Sequence, residues 1–253
     1  MKDVFLIYAH RGSSINYPEN TLPAFAHAIK EGANGIELDV QLTKDGHVVV
    51  FHDWILQRIT GQKGKISDYT LTQLRKMDFG AWKHPRFAGT PIPTLEQVLT
   101  RIAGKNIILN IELKNFFAMK NGLEQKVIQL VHSHKMARQV IISTFNPFSL
   151  ELLRKHDCKT DIAFLYFGQL REPWRYALEY KCAYIHPPVR GVNAQLLEIC
   201  RSHGLKIVPY QVDTLAEIKQ MIELGTDGII TPRPALAHRL LYGTQTKRKR
   251  RKR

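Results

Sequence analysis

The sequence predicts an α/β protein of the (β/α)₈ barrel class, and three observations support that prediction. Short β-branched, apolar runs alternate with amphipathic helical stretches from Val4 to Tyr242. Eight strand candidates remain once one hairpin partner is set aside, as a closed parallel barrel requires. The length of 253 residues is typical of one such barrel. Because periodicity does not show closure, an open doubly wound sheet is the alternative.

The first two repeats introduce the strands that carry most of the polar residues. Val4–Ala9 is the first apolar run, and the helical pattern of Thr21–Gly32 ends at a glycine. Gly35–Leu42 and His47–His52 follow as extended runs, with Lys44-Asp45-Gly46 between them as a hairpin turn signal. We therefore expect the second strand to project beyond the barrel and turn back.

The hairpin determines where His52 lies. A turn centred on Lys44-Asp45 would pair His52 with Glu37, and a turn centred on Asp45-Gly46 would pair it with Asp39. Either register places His52 beside an acidic residue of the second strand.

The next interval is longer than one barrel repeat. Residues 53–105 separate the hairpin from the following strand, where a helix and its loops need about 20–25 residues. Thr94-Leu95-Glu96-Gln97 has capping-box spacing and predicts the start of the expected barrel helix. Asp53 to Pro93 is therefore predicted to be a small insertion over the barrel mouth, within a single domain spanning residues 1–246.

The remaining repeats complete the series. Helices are predicted over Leu123–His134 and after Pro147. The remaining predicted strands are Asn106–Leu113, Val140–Ser143, Asp161–Phe167, Ala183–His186, Lys206–Val212 and Gly228–Thr231.

Composition excludes several classes of protein. The chain is 44% hydrophobic and 23% charged, which is globular, and no apolar run reaches the length of a membrane span. The N-terminus lacks the apolar core and cleavage site of a signal peptide. Three cysteines without C-x-x-C spacing argue against a disulfide framework or a thiolate zinc site, so we expect a cytoplasmic protein.

The positive charge is concentrated at the C-terminus. Seven of the 37 Lys and Arg residues form the run Lys247–Arg253, which leaves 30 against 22 Asp and Glu in residues 1–246. Such a run is expected to be a disordered basic tail. It could contact anionic lipid or nucleic acid weakly, but no specific nucleic-acid partner is expected. The oligomeric state is left open.

Acidic and basic residues lie near the ends of the first three barrel strands, where barrel active sites are built. Glu37 and Asp39 share one face of the second strand, and Glu112 and Lys114 share one face of the third. Three converging carboxylates require a cation, and oxygen-only ligands favour Mg²⁺ or Ca²⁺ over zinc. The nearby basic side chains favour a phosphoryl substrate.

Two histidines complete this arrangement. His10 ends the first strand, immediately before Arg11, and His52 follows the hairpin. Imidazoles titrate near neutral pH, so the pair can supply an acid and a base. Taken singly, each polar segment has a structural alternative, such as an ion pair between Glu112 and Lys114.

These motifs resemble the glycerophosphodiester phosphodiesterase family of TIM barrels over about residues 4 to 234. The motifs that carry the resemblance are His10-Arg11-Gly12, Pro18-Glu19-Asn20-Thr21, Glu37-Leu38-Asp39-Val40, Thr43-Lys44-Asp45-Gly46, His52-Asp53, Glu112-Leu113-Lys114, Gly204-Leu205-Lys206, Tyr210-Gln211-Val212-Asp213 and Gly225-Thr226-Asp227-Gly228-Ile229-Ile230-Thr231. Three positions differ from the usual family pattern: Tyr210 replaces Trp, Asp213 replaces Asn and Pro232 replaces Asp. These changes concern substrate preference rather than the metal site.

The resemblance implies a role for each residue. Glu37, Asp39 and Glu112 would hold one Mg²⁺ or Ca²⁺, and His10 and His52 would be the acid–base pair. Arg11 and Lys114 would bind the phosphate, Glu19 would support the loop after the first strand, and Tyr210 would offer the substrate an aromatic wall. Apart from the resemblance, His186 ends a predicted strand, where a residue of the barrel mouth would contact the substrate. For His186, a structural hydrogen bond is an equal alternative.

The implied reaction is hydrolysis of a small-molecule glycerophosphodiester to sn-glycerol 3-phosphate and an alcohol, within lipid and glycerol metabolism. Which histidine is the acid stays open, as does the choice between direct attack by water and a cyclic phosphate intermediate. A lysophospholipase D acting on one-chain phospholipids is one alternative function. A non-catalytic basic binding module is another.

Overall fold

Eight parallel strands with intervening helices form the body of the protein in the computed structural model, which describes residues 4–115 and 121–250, with side chains up to residue 243. Around the sheet the order is β8-β7-β6-β5-β4-β2-β1-β9, and β3 pairs with β2 outside this path. The strands are β1 (Leu6–His10), β2 (Gly35–Leu42), β3 (Val48–Val50), β4 (Ile108–Leu113), β5 (Val140–Thr144), β6 (Asp161–Leu165), β7 (Tyr184–His186), β8 (Lys206–Ile207) and β9 (Gly228–Thr231).

Backbone hydrogen bonds join the two ends of this sheet and close the barrel. The N–H of Asp227 donates to Ile207 O at 3.0 Å, and the N–H of Ile230 donates to Pro209 O at 2.9 Å. Further along, the N–H of Val212 donates to Ile230 O at 3.0 Å. The predicted (β/α)₈ barrel is confirmed, and the alternative of an open doubly wound sheet is wrong.

The helices cover the outside of the barrel, and side-chain caps mark where several of them begin. Thr94 and Gln97 bond each other's backbone N–H groups, so the predicted capping box starts the barrel helix after the insertion. The helices are α1 (Leu22–Lys30), α2 (Gln57–Thr60), α3 (Leu71–Leu74), α4 (Leu95–Ile102), α5 (Leu123–Ser133), α6 (Pro147–His156), α7 (Pro173–Glu179), α8 (Ala194–Ser202), α9 (Leu215–Leu224) and α10 (Pro234–Arg250).

Alternate residues of the strands fill two separate apolar layers. One layer lies between the sheet and the surrounding helices and contains residues such as Ile36, Leu38 and Leu109. The other fills the barrel interior with Tyr8, Ile141, Ala163, Tyr184, Val208 and Ile230. Because strand side chains alternate in direction, polar residues in phase with the interior set also point inward.

The insertion has a small core of its own. Side chains of α2 and α3 pack with Phe79 and Ile92, and Val49 and Phe51 of the hairpin region belong to the same cluster. The insertion is therefore anchored to the hairpin that follows β2. The boundary of a single domain at residues 1–246 stays a prediction.

The β2–β3 hairpin has a register that differs from both expectations. Val40 pairs with Val50 and Leu42 with Val48, so the turn contains the three residues 44–46 rather than two. Gly46 has a φ of +78°, a left-handed conformation that glycine adopts without strain. Neither predicted pairing of His52 forms, since the chain leaves the ladder after Val50.

The last helix continues into the basic C-terminal segment. The backbone of α10 runs through Arg250, and residues 251–253 lie outside the described residues. The disordered basic tail over residues 247–253 stays a prediction. Among the described helices, none has both the length and the hydropathy needed to cross a membrane.

Candidate active site

Three carboxylates converge at the C-terminal ends of β2 and β4. Asp39 and Glu112 are Cα partners across these strands, and Glu37 is the partner of His10 on β1. The side chains therefore point into the same end of the barrel. Ligand oxygens of Glu37, Asp39 and Glu112 lie within 4.8 Å of one another. The predicted acidic cluster is present in the structure.

Two cations partly compensate the charge of this cluster. Lys114 Nζ is 2.7 Å from Glu112 Oε1 and 3.7 Å from Asp39 Oδ1. Arg11 Nε is 3.3 Å from Asp39 Oδ2. Although burial opposes the shift, these two cations hold the pKa of Asp39 well below its usual range. Asp39 is therefore ionised at neutral pH.

Glu37 is the least compensated of the three acids. Burial, followed by the charges of Asp39 and Glu112, raises its pKa well above the usual range. Burial also raises the pKa of Glu112. The buried Oε1 of Glu37 has no hydrogen-bond partner among the described residues. An oxygen-only cluster with an unpartnered buried oxygen fits a divalent cation of the Mg²⁺ or Ca²⁺ type.

The loop after β1 supports this cluster from one side. Asn20 Nδ2 donates to Asp39 Oδ2 at 2.8 Å, and the N–H of Asp39 donates to Asn20 Oδ1 at 3.3 Å. The N–H of Arg11 donates to Glu37 Oε2 at 2.9 Å. Arg11 Nη1 also donates to Glu19 Oε1 at 2.9 Å. Glu19 thus contacts the guanidinium of Arg11, in the loop after β1, rather than the carboxylate cluster.

His10 lies at the edge of the carboxylate cluster. Its Nε2 is 3.9 Å from Glu37 Oε2. Burial, with a further contribution from the positive charge of Arg11, lowers its pKa to about 3. The neutral imidazole is the form present near neutral pH, and this form can accept a proton.

His52 reaches the same cluster from the end of the hairpin. A positive charge on its ring would lower the pKa values of His10, Asp39 and Glu112, so the ring lies within electrostatic range of the cluster. Its Nδ1 is 2.8 Å from Asp53 Oδ1, so Nε2 is the ring nitrogen that this contact does not use. The predicted proximity is present although the predicted register is wrong.

Gln41 explains how the chain delivers His52 outside the ladder. Its Nε2 donates to Phe51 O at 3.0 Å and to Asp53 O at 2.9 Å. The N–H of Phe51 donates to Asp39 O at 2.9 Å. These bonds fix the backbone on both sides of His52 once β3 has ended.

The opposite side of the mouth is aromatic. Tyr210 Oη donates to Tyr166 O at 2.8 Å, and the Tyr210 ring meets Phe145 edge-on with centroids 5.9 Å apart. Phe145 in turn stacks on Phe167 at 3.9 Å, and Phe167 is 70% exposed. Burial, followed by the charge of Glu112, raises the pKa of Tyr210. Tyr210 therefore lies between the carboxylate cluster and an aromatic pair of which Phe167 is the exposed member.

His186 is fully buried at the end of β7. Neither ring nitrogen has a hydrogen-bond partner in the described part of the chain, and burial lowers its pKa to about 3. Both the substrate contact and the structural hydrogen bond suggested for His186 stay predictions.

Three residues of the site did not emerge from the sequence as functional: Asn20, Gln41 and Arg58. Asn20 was visible within the Pro18–Thr21 motif, but nothing in the sequence pointed to its two bonds with Asp39. Gln41 carries no such signal, because it bonds the backbone of Phe51 and Asp53 across the hairpin. Arg58 carries none either, because it reaches from the insertion to the carboxylates of Asp53 and Glu19. Only the folded backbone brings them to the site.

Comparisons with known proteins show which family this chain is similar to. Residues 10–236 match the model of the glycerophosphoryl diester phosphodiesterase family. A glycerophosphodiester phosphodiesterase of Caldanaerobacter subterraneus subsp. tengcongensis is 42% identical over 229 residues, covering 90% of this chain and 94% of the relative.

Solved structures show the same similarity. An Oleispira antarctica phosphodiesterase in complex with the product sn-glycerol-3-phosphate has a TM-score of 0.85 and 26% identity, covering 92% of this chain and 95% of that chain. A glycerophosphodiester phosphodiesterase from Agrobacterium tumefaciens has a TM-score of 0.83 and 27% identity, covering 92% of this chain and 99% of that chain.

Proposed function

The chain belongs to the glycerophosphoryl diester phosphodiesterase family and is a phosphoric diester hydrolase, and from this premise we propose that it converts glycerophosphodiesters to sn-glycerol 3-phosphate and an alcohol. The observation that carries the proposal is the convergence of Glu37, Asp39 and Glu112 beside His10 and His52. A small-molecule diester is the proposed substrate, and the product bound to the Oleispira antarctica structure supports that choice.

Glu37, Asp39 and Glu112 would hold one divalent cation, Mg²⁺ or Ca²⁺. When bound, the cation supplies charge stabilisation to a phosphate oxygen and acidifies a coordinated hydroxyl group. Arg11 and Lys114, whose positive charges already face this cluster, would bind the phosphate of the substrate.

The two histidines have environments that suggest separate roles. His10 is mostly enclosed, with 16% of its side chain exposed, and is neutral near pH 7, so we assign it the proton acceptor for the attacking oxygen. His52 bonds through Nδ1 to the Asp53 carboxylate, a contact that orients the ring and leaves Nε2 as the nitrogen available to the substrate. We assign it the donor that protonates the leaving alkoxide as the phosphorus–oxygen bond breaks. The attacking oxygen is that of water or of the glycerol 2-hydroxyl.

A coupled assay for glycerol 3-phosphate tests this function. Enzyme treated with EDTA should lose activity on the choline, ethanolamine, glycerol and inositol diesters, and Mg²⁺ or Ca²⁺ should restore it. Glu198, an exposed glutamate on α8, gives a control in Glu198→Gln, which should behave like the wild type. Full activity in metal-free enzyme would reject the proposed role of the carboxylates.

One observation favours a second substrate class. The exposed ring of Phe167, stacked on the partly buried Phe145, offers an apolar surface beside Tyr210 that a one-chain phospholipid could contact. Hydrolysis of lysophospholipid micelles at a rate comparable to that of water-soluble diesters would establish lysophospholipase D activity. A basic binding module would instead show no hydrolysis, and its binding would be lost on removal of residues 247–253.

The cellular setting is part of the same proposal. The three cysteines are free thiols, and Cys158 is exposed, which supports a reducing cytoplasmic compartment. The reaction would belong to glycerol and lipid metabolism, because its product is glycerol 3-phosphate. No specific nucleic-acid partner is proposed.

A further inference from the structure

Arg58 joins two carboxylates on different segments of the chain. From α2 of the insertion, its Nε and Nη2 donate to Asp53 Oδ2 and Oδ1 at 2.6 and 2.9 Å. Its Nη2 and Nη1 also donate to Glu19 Oε1 and Oε2 at 2.7 and 3.1 Å. Each carboxylate thus receives two hydrogen bonds from one planar guanidinium, a geometry that lysine does not reproduce.

Each of these carboxylates holds a residue of the proposed active site. Asp53 Oδ1 lies 2.8 Å from His52 Nδ1, and Glu19 Oε1 accepts from Arg11 Nη1 at 2.9 Å. Arg58 is therefore one side chain away from both the proposed proton donor and a proposed phosphate ligand. It is 45% exposed and stands at the rim, where it touches neither the carboxylate cluster nor the reacting atoms.

The insertion holds Arg58 in this position. The guanidinium lies over the ring of Trp82, 5.3 Å from its centroid, and Trp82 Nε1 donates to Phe79 O at 3.0 Å. Phe79 belongs to the insertion core. The insertion also reaches the first loop through Lys83 Nζ, which donates to Ser14 O at 2.8 Å. Its folding and the placement of Arg58 are thus linked.

We infer that Arg58 is a positioning residue that orients His52 through Asp53 and Arg11 through Glu19, so that a folded insertion is required for a competent active site. The inference rests on the proposed roles of His52 and Arg11. Carboxylate oxygens of Glu19 and Asp53 and a ring nitrogen of His52 lie within 4.8 Å of one another. Without the guanidinium, the two carboxylates repel each other, and Asp53 is no longer held against His52.

Kinetics with Arg58→Gln test this coupling. We expect kcat for a choline diester to fall about 10- to 100-fold, part of the 10²–10⁴-fold that a positioned proton donor typically contributes. We also expect KM to rise, because Arg11 loses its orientation. In a His52→Ala background the same substitution should change kcat less than about twofold, since the imidazole through which Arg58 acts on kcat is already absent. Arg75→Gln, at an exposed arginine of the insertion outside these contacts, is the matched control.

A second readout is independent of catalysis. The ¹⁵N shifts of the His52 ring, assigned by their loss in His52→Ala, should report an Nδ1 that is hydrogen-bonded to a carboxylate in the wild type and in Arg75→Gln. In Arg58→Gln the Nδ1 shift should move towards the value of a ring without that hydrogen bond. Arg58→Lys keeps a positive charge near Trp82 but cannot make the paired hydrogen bonds to both Asp53 and Glu19. It should therefore preserve the melting temperature while still shifting the His52 signals.

The possible results separate the two proposals. Unchanged His52 shifts in a folded Arg58→Gln or Arg58→Lys protein would overturn the positioning role. An equal loss of kcat in the presence and absence of His52 would also overturn it. If the wild type hydrolyses no glycerophosphodiester, the proposed function fails, while the ring shifts still decide whether Arg58 positions His52.

Discussion

Replacing Glu37 by glutamine should stabilise the metal-free protein and at the same time remove its response to divalent cations. Ligand oxygens of Glu37 lie within 4.8 Å of those of Asp39 and Glu112, and two unit charges at that separation repel by about 3.5 kcal/mol at an effective dielectric constant of about 20. Lys114 and Arg11 offset much of this repulsion through their ion pairs with the other two acids. Among the described residues, no lysine or arginine forms an ion pair with Glu37.

The pH dependence gives the sign of the effect. Burial raises the pKa of Glu37 in the folded state above its unfolded value of about 4.3. Such a carboxyl favours folding while it is protonated, and this contribution is lost as the pH rises through the folded-state pKa. Metal-free wild type should therefore lose stability from about pH 5 upward, and Glu37→Gln should lose less. At pH 8 we expect a gain on the order of 2 kcal/mol, or about 4–8 °C in Tm.

Thermal melts in EDTA and in saturating Mg²⁺ or Ca²⁺, at pH 6 and pH 8, measure both effects. A cation at about 100 times its Kd should stabilise the wild type by about 2.7 kcal/mol and should not stabilise Glu37→Gln. Glu198→Gln, at an exposed site on α8, should match the wild type in both media. The reasoning fails if Glu37→Gln melts below the wild type in EDTA at pH 8, or if neither cation moves the wild-type transition.

Three further outcomes follow from other parts of the structure. His52→Ala should slow hydrolysis of an alkyl diester by about 10²–10⁴-fold but that of a p-nitrophenyl diester much less, because a phenolate leaves without a proton. Equal slowing of the two substrates would show that His52 is not the proton donor. Gly12→Ala should lower the free energy of unfolding by about 1–3 kcal/mol, measured as a lower Tm, since Gly12 has a φ of +82° and an added Cβ would lie 2.8 Å from Ala24. The control Gly61→Ala should lower it less, because an added Cβ there would meet no atom of the described residues within 4 Å beyond its chain neighbours. Although burial opposes the shift, hydrogen bonds hold the pKa of Asp157 at about 2. The free energy of unfolding, measured by urea denaturation, should therefore fall as the pH drops from about 4 through 2, and Asp157→Asn should reduce that fall. The same pH dependence in both proteins would contradict this prediction.

The fold was predictable because its signals are local. Repeated apolar runs, the glycine that follows α1 and the capping box at Thr94 are each written within a few residues. The spacing of Glu37 and Asp39 placed both on one strand face, and the same reasoning placed Glu112 beside Lys114. Parallel pairing then brought Asp39 and Glu112 to the same level of the barrel.

The hairpin shows where local reasoning fails. The turn signal at residues 44–46 was correct, but the loop holds three residues, and both predicted registers were off by one. His52 reaches the site because Gln41 bonds the backbone on either side of it after the ladder ends. A side chain that bonds carbonyls across an irregular segment leaves no periodic trace in the sequence.

By itself the sequence determined the alternation of strands and helices and the chemical character of the barrel mouth, because periodicity and residue type at strand ends are properties of short segments. Only the tertiary structure decided that the barrel closes through Val212 and Ile230, that Glu37 is the least compensated acid, and that Arg58 joins the insertion to both sides of the site. Each of these depends on distances between segments far apart in the chain. Such distances are set by packing and charge compensation across the whole fold, which no short stretch of sequence encodes.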